Sequence, residues 1–587
     1  MPLHPSGNPR AWLRILALAA LGGSALGFAC GGDPPAWNQE LLVNRGFEDG
    51  VLAPWLVEYG SCEVEFGPSF PLANARTGDY LFYGGDSGVV SSCRAHQEID
   101  LFAENFKNFH ILNGKIEVDG EVWLRRRENA GIAGDLTGDF ADQAFYRVRF
   151  LDAASQELGS LRTLVSGDDS WELRELTGIV PPGTKTLRAE LEARFRLGNE
   201  NDGLADDASL VLRQSTLSSP TIAKQPFLQD VRQDAMTVLW ETTGNFAVHS
   251  VEWGLASVGL TGAATKVEST QIDSTHFVHK AVIEGLSAET EYIYRVVSGS
   301  TVSPSYVFRT APLANTPYRV AWFSDNQNGP SVLQGLALDM VGRDPDLVIV
   351  PGDIVQNGDQ LGDWQNEWFT PMETASLAQT TPVMIARGNH DGEHPYSYAY
   401  TALPHNESWY SFTYGNGFFV AMDTEAVVTG SGGDEDPLTF LTQELTSAAA
   451  QAAEFKIVYF HRPPYTNLWD ATNNFFTCLL GLEYDGEEPV RDWWVPVFEA
   501  NGVDLVVSGH THSYQHGVRN GVNYVLVGGA GGNLDTVRGC SGSTFWSFIS
   551  TELSSHHYNL MDVNGTTLQW AAYDQNDVLM HAFQIVH

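Results

Sequence analysis

Five places in the C-terminal half of this 587-residue chain set a residue able to bind a hard or borderline metal just behind a short apolar run. Residues 320–323 lead into Ser324-Asp325-Asn326-Gln327, residues 347–350 into Pro351-Gly352-Asp353, and residues 382–385 into Arg387-Gly388-Asn389-His390-Asp391. Residues 457–460 lead into His461-Arg462-Pro463-Pro464-Tyr465, and residues 505–507 into Ser508-Gly509-His510-Thr511-His512. Carboxylate, amide and imidazole donors in such a mixture suit zinc, iron or manganese. One motif of this kind means little, because a lone histidine after a strand is usually a core or surface residue. Five in order are improbable by chance. Ligands of α/β sheets bind beyond the carboxyl ends of strands, so five converging ends would make one cluster.

The elements that must position these residues are readable around them. The five runs are short and continuously apolar, as buried strands are. From Tyr318 onward they alternate with amphipathic stretches, 436–454 and 492–500 among them, that read as helices. Such alternation predicts an α/β domain over 314–587. Residues 216–313 read as a separate β unit, with strand-like 236–240, 250–253 and 292–297. Residues 38–214 read as all-β, with period-two stretches at 146–150 and 187–191 and turn clusters such as Pro181-Pro182-Gly183 between them. A multidomain chain is expected, since 587 residues exceed what one hydrophobic core supports.

The order Asp-x-Gln, Gly-Asp, Gly-Asn-His-Asp, His-Arg-Pro-Pro-Tyr, Gly-His-x-His resembles the calcineurin-like metallophosphoesterase superfamily, nearest its purple acid phosphatase branch. The preceding unit, with Pro226-Phe227-Leu228-Gln229, Thr290, Tyr292 and Tyr294, resembles the fibronectin-III-like N-terminal domain of that branch. The likeness implies an α-β-β-α sandwich holding two metal ions (iron, zinc or manganese). Carried over by position, Asp353 would bridge the two ions, its two oxygens facing different ones. Asp325 and His512 would hold the first, with Gln327 standing where the superfamily often has a histidine. Asn389, His461 and His510 would hold the second. His390 would assist the leaving group without ligating metal, and Asp391 would either orient His390 or cap a turn. Tyr465 and Tyr514 fall at positions near the family's pocket, with plain packing the expectation for both.

The activity so implied is hydrolysis of phosphate monoesters by a metal-bridging hydroxide. Phosphodiester hydrolysis, of a nucleotide or a lipid, uses the same site, and the motifs do not separate the two. A surface binding or adhesion protein with a decayed enzyme domain is the reading from another class, resting on Gln327. The purple branch places a tyrosine three residues after the bridging aspartate, where this chain has Gln356. The ferric-phenolate colour is therefore not expected.

The ends of the first β unit, Leu41-Leu42-Val43-Asn44-Arg45-Gly46-Phe47-Glu48 and Asp206-Asp207-Ala208-Ser209-Leu210, resemble those of galactose-binding-like jelly rolls found in carbohydrate-binding modules. That likeness implies a structural calcium, with Glu48 and Asp206 as its ligands, and glycan binding. Acidic residues outnumber basic ones 72 to 33, a balance that repels polyphosphate backbones and excludes general nucleic-acid binding. Arg10 and Arg14 precede an apolar stretch at 15–28 and then Ala29, the pattern of a cleaved export signal over 1–29. Cys30 follows directly, opening a 30–37 linker, where bacterial lipoproteins carry their lipidated cysteine; simple cleavage and free secretion is the alternative. Cys62 with Cys93, and Cys478 with Cys540, could each close a disulfide in an oxidising compartment. The expected location is thus outside the cytoplasm, secreted or anchored at the cell envelope.

Overall fold

The computed structural model describes residues 34–587 apart from 67–74, 86–91, 127–141, 168–169, 196–200, 202, 216–218, 246, 393, 427–435, 470–483 and 537–544. The export signal, Cys30, the Cys478–Cys540 pair and most of the loop before Pro437 lie outside the described residues. Among the described residues no helix is long and apolar enough to cross a membrane.

The period-two pattern of the N-terminal unit becomes two facing β-sheets. Strand Ile116–Arg126 buries every second side chain, as alternation requires when one face meets the core and the other water. Phe47, Phe82, Tyr146 and Leu191 fill the space between the sheets. Cys62 and Cys93 are joined by a disulfide, their Cα atoms 5.4 Å apart.

The sequence suggests that residues 38–214 and 216–313 are separate units, whereas the structure joins them in one sheet. Strand Glu157–Thr163 pairs in parallel with Val267–Gln271, placing Ser160 opposite Glu268 and Arg162 opposite Thr270. A nine-stranded sheet runs through both parts as a result. Pairing two edges removes rows of unsatisfied N–H and C=O groups. No local sequence signal announces such a contact. In the second part Tyr292 accepts a hydrogen bond from Ser287 N at 2.8 Å, stapling its own turn, while Tyr294 donates to the Gln379 carbonyl at 2.8 Å in the C-terminal part.

The C-terminal part is two stacked sheets flanked by helices. The first contains Val383–Ala386, Leu347–Pro351 and Tyr318–Trp322 in parallel, continued antiparallel by His557–Asn564, Thr567–Asp574 and Leu579–Val586. The second contains Gly417–Ala421, Phe455–Phe460, Leu505–Ser508 and Val522–Val527 in parallel, with Tyr410–Tyr414, Tyr514–Arg519 and Ile549–Leu553 at its edges. All five apolar runs are strands, but three lie in one sheet and two in the other. Trp322 meets Tyr459 edge-on between the layers at 5.8 Å. Helix Pro330–Gly342 covers one outer face with Leu333, Leu336, Ala337 and Met340, the three-and-four spacing of a single buried stripe.

Two helices differ from expectation. The stretch 436–454 divides into Pro437–Thr446 and Ala448–Ala452, because Ser447 turns extended (ψ 159°) and its side chain caps Ala450 N. The stretch 492–500 begins inside the π-helical turn Val490–Trp494 and continues as Val495–Asn501. Pro496 lacks the N–H that an unbroken α ladder would use there.

Candidate metal centre

The strand ends of both sheets meet at one point. His461, which follows strand Phe455–Phe460, sets Nε2 at its middle: 3.1 Å from Asp353 Oδ2, 3.1 Å from Asn389 Oδ1 and 3.3 Å from His510 Nδ1. Asp353, His461 and His510 can bring one donor atom each within 4.8 Å of one another. Next to them His512 Nε2 lies 3.4 Å from Asp325 Oδ1, and Gln327 Nε2 lies 3.1 Å from Asp353 Oδ2 and 3.3 Å from His512 Nε2. The structure thus brings together all seven residues that the family resemblance names as ligands.

The backbone is shaped for this. Asp325, Asp353 and His510 all have positive φ (61°, 53° and 67°), a region that non-glycine residues occupy at a cost and chiefly where function demands it. Gly352 precedes one of these turns at φ 89°, and a Cβ on Gly388 would sit 2.2 Å from Asp353 Oδ1. Glycine is required at both positions for the two turns to approach so closely.

The imidazoles are fixed from behind. His461 Nδ1 lies 2.9 Å from the Pro351 carbonyl and His512 Nδ1 lies 2.6 Å from the Asn533 carbonyl. A carbonyl can only accept, so each Nδ1 carries a proton and each Nε2 faces the cluster, where a metal ion displacing any proton from it would find the lone pair, the arrangement that metal-binding histidines show. His510 N donates to Asp325 at 2.9 Å, and Trp469 stacks on the His510 ring at 4.9 Å.

Electrostatics fit a cation site. Asp325 and Asp353 are 0% and 1% exposed, and two buried carboxylates demand positive charge beside them. Although burial opposes ionisation, His461 and His390 hold the Asp353 carboxyl below the usual range. Burial likewise presses on His461, yet Asp353 raises it to about 10. His510 is pushed well down by burial, then by His461 and Arg462. The Gln327 Oε1 is buried with no hydrogen-bond partner. An amide has nearly the same shape when its oxygen and nitrogen exchange places, so a flip would present that oxygen to the cluster. Hard oxygen, neutral imidazole and two buried carboxylates make a donor set that suits borderline divalent or trivalent metal ions.

One expectation changes, and the roles of Asp391 and Gln356 become specific. The two Asp353 oxygens do not divide between the halves of the site. Oδ1 accepts from His390 N at 2.9 Å, which leaves Oδ2 facing His461 on one side and Gln327 on the other. Of the two roles open to Asp391, it takes the capping one. Its carboxylate accepts from Ile354 N at 2.7 Å, Val355 N at 3.2 Å and Gly388 N at 3.0 Å, clamping the Asp353 turn to the Asn389 turn. Burial and the charge of Asp353 push Asp391 up to about 7. The group that orients His390 is Gln356: its carbonyl accepts from Nδ1 at 2.8 Å, and its side-chain nitrogen lies 3.0 Å from the same atom. Sequence reading noted Gln356 only as a missing tyrosine.

Outside the centre the outcomes are plainer. Tyr465 packs against Trp546, Tyr524 and Phe548, and Tyr514 packs against His557 with its hydroxyl 2.9 Å from His581. Glu48 accepts backbone hydrogen bonds from Asp79 and Tyr80, and Asp206 accepts from Arg76 and Thr77. Both carboxylates staple one loop, and neither joins the convergent cluster of three found among the described residues; burial and Asp207 push Asp206 up to about 7.

The chain matches two family descriptions: "Calcineurin-like phosphoesterase" over residues 318–514 and "Purple acid Phosphatase, N-terminal domain" over residues 225–310. It is 26% identical to purple acid phosphatase 18 of Arabidopsis thaliana over 61% of this chain and 83% of that protein. It is 25% identical to an uncharacterized protein of Mycobacterium tuberculosis over 48% of this chain, spanning 59% of that protein. A third relative, 25% identical over 52% of this chain and 59% of its own length, is named probable inactive purple acid phosphatase 27 of Arabidopsis thaliana. Purple acid phosphatase from yellow lupin seeds superposes with a TM-score of 0.53 at 16% identity, over 84% of this chain and 93% of that one, a likeness of fold. The chain carries a calcineurin-like metallophosphoesterase domain behind a purple acid phosphatase N-terminal domain, and it is a phosphoester hydrolase.

Proposed function

We propose that this chain is an exported, dinuclear-metal hydrolase of phosphate monoesters. The observation that carries the reading is the meeting of Asp353, Asn389, His461 and His510 around one point, with Asp325, Gln327 and His512 beside it. Asp325, Gln327 and His512 would hold one ion and Asn389, His461 and His510 the other, with Asp353 shared between them. When bound, the ions would supply Lewis acidity and neutralise charge on the phosphoryl oxygens.

The chain's own groups do the rest. The carbonyls of Pro351 and Asn533 keep two imidazole Nε2 atoms aimed inward. Asp391 locks the two turns that carry Asp353 and Asn389. Gln356 occupies His390 Nδ1, so Nε2 of the doubly protonated imidazolium is the atom left to hand a proton to the departing alkoxide, leaving the neutral ring. The Cys62–Cys93 disulfide supports export, since such bonds persist in oxidising compartments.

Comparing p-nitrophenyl phosphate with bis-p-nitrophenyl phosphate tests the substrate class. Faster turnover of the monoester is expected. A clear preference for the bis-ester would replace this reading with a phosphodiesterase.

A further inference from the structure

A second polar cavity, of about 300 Å³, opens where the three parts of the chain meet. Its floor is the continuous sheet, from which Arg194, Arg147, Arg162, Glu268 and Lys280 project on five neighbouring strands. One wall is the segment 402–407, reached by the chain soon after the Asn389 turn.

The charges on this floor are arranged against ordinary sheet practice. Arg147 and Arg162 stand directly opposite each other, and like charges so placed destabilise a strand pair. Glu268 lies 3.6 Å from Arg147 Nε and 4.0 Å from Arg162 Nη1, too far for hydrogen bonds. The other cations have closer partners: Arg147 has Glu157 at 3.0 Å, Arg194 has Glu192 at 2.9 Å, and Lys280 donates to the Tyr398 carbonyl at 3.3 Å.

Arg162 has none so close. It is only 8% exposed, its Nε–H is buried with no acceptor, and its guanidinium lies 4.1 Å over the Phe145 ring. Burial and then Arg194 push it down to about 10, against the pull of Glu268. Arginine does not give up its proton in proteins, so Arg162 stays a buried cation at a desolvation cost that the more distant carboxylates only partly offset.

We propose that this cavity binds a small oxyanion, a carboxylate or a phosphate group, through Arg162 and Arg194. Forked guanidinium donors match two oxygens side by side. The carboxylates of Asp230, Glu268 and Glu407 line the same space. They would accept hydrogen bonds from ligand hydroxyls and disfavour a highly charged polyanion, which selects a hydroxylated monoanion such as a sugar acid. The inference does not depend on the phosphoesterase reading.

Calorimetric titration of the full-length, metal-stripped protein with D-glucuronate, inorganic phosphate and sulfate tests it. Saturable binding is expected, weakened about tenfold or more by Arg162→Gln and by Arg194→Gln and kept by Asp353→Asn. Arg194 is the more exposed of the two arginines, which guards against a variant that fails to fold. Tighter glucuronate identifies a sugar-acid ligand and tighter phosphate a phosphate ligand; either supports the site. Absence of saturable binding by all three probes, affinity unchanged from the parent protein in both arginine variants, or loss only in Asp353→Asn would overturn it.

Discussion

The two halves of the proposed metal centre are built to different standards. Around His461 the donors lie close together: His461 is 0% exposed, its Nε2 meets Asp353, Asn389 and His510 within 3.3 Å, and Asn389 is half-buried. Around Asp325 the partners are looser, with the His512 side chain 21% exposed and 3.4 Å away, and with a neutral amide, Gln327, in third place. One half is preorganised by two turns, a clamp and an aromatic stack, whereas the other depends on a side chain that must flip to offer oxygen. Preorganisation of a ligand set by its supporting hydrogen bonds governs metal affinity. The His461 half should therefore keep its ion under conditions that empty the Asp325 half.

The largest effect should come from the residue shared by both halves. Asp353→Asn is expected to remove most metal and to lower kcat/KM by about 10³-fold or more; near-normal activity would show that the halves do not share Asp353. His390→Ala should keep both ions while turnover of an alkyl phosphate falls by roughly 10²-fold or more, with metal content read on the same preparation. Gln327→His should raise the affinity of the looser half by about tenfold. An equal gain in both halves on stepwise chelation would remove the distinction between them. The smallest effect is expected from Gln356→Ala, which should slow alkyl phosphates more than p-nitrophenyl phosphate, because only poor leaving groups need the proton that His390 holds. Equal slowing of both substrates would make Gln356 a mere packing residue.

Much of this centre could be read from the sequence, for a physical reason. Continuous apolar runs such as 347–350 make buried strands almost regardless of context, and the polar residue at each end has to lie at the sheet's edge. What escaped was non-local. Nothing near 320–323 or 457–460 says that they belong to different sheets. The pairing of Glu157–Thr163 with Val267–Gln271 spans parts that read as independent. Side-chain partners are hidden for the same reason: a capping role is open to Asp391 from its sequence, but the backbone N–H groups it caps belong to distant Ile354 and Val355. The break at Ser447 was missed because apolar periodicity runs on across it, while the serine side chain starts a second helix.

The central claim is that the chain needs metal in two unequal half-sites to hydrolyse a phosphoester. Metal analysis of the purified full-length protein, paired with p-nitrophenyl phosphate turnover during stepwise chelation, tests it most directly. About two ions per chain are expected, leaving in two distinguishable steps, with activity lost at the first step and restored on adding metal back. Unchanged turnover by the fully stripped protein would contradict the account.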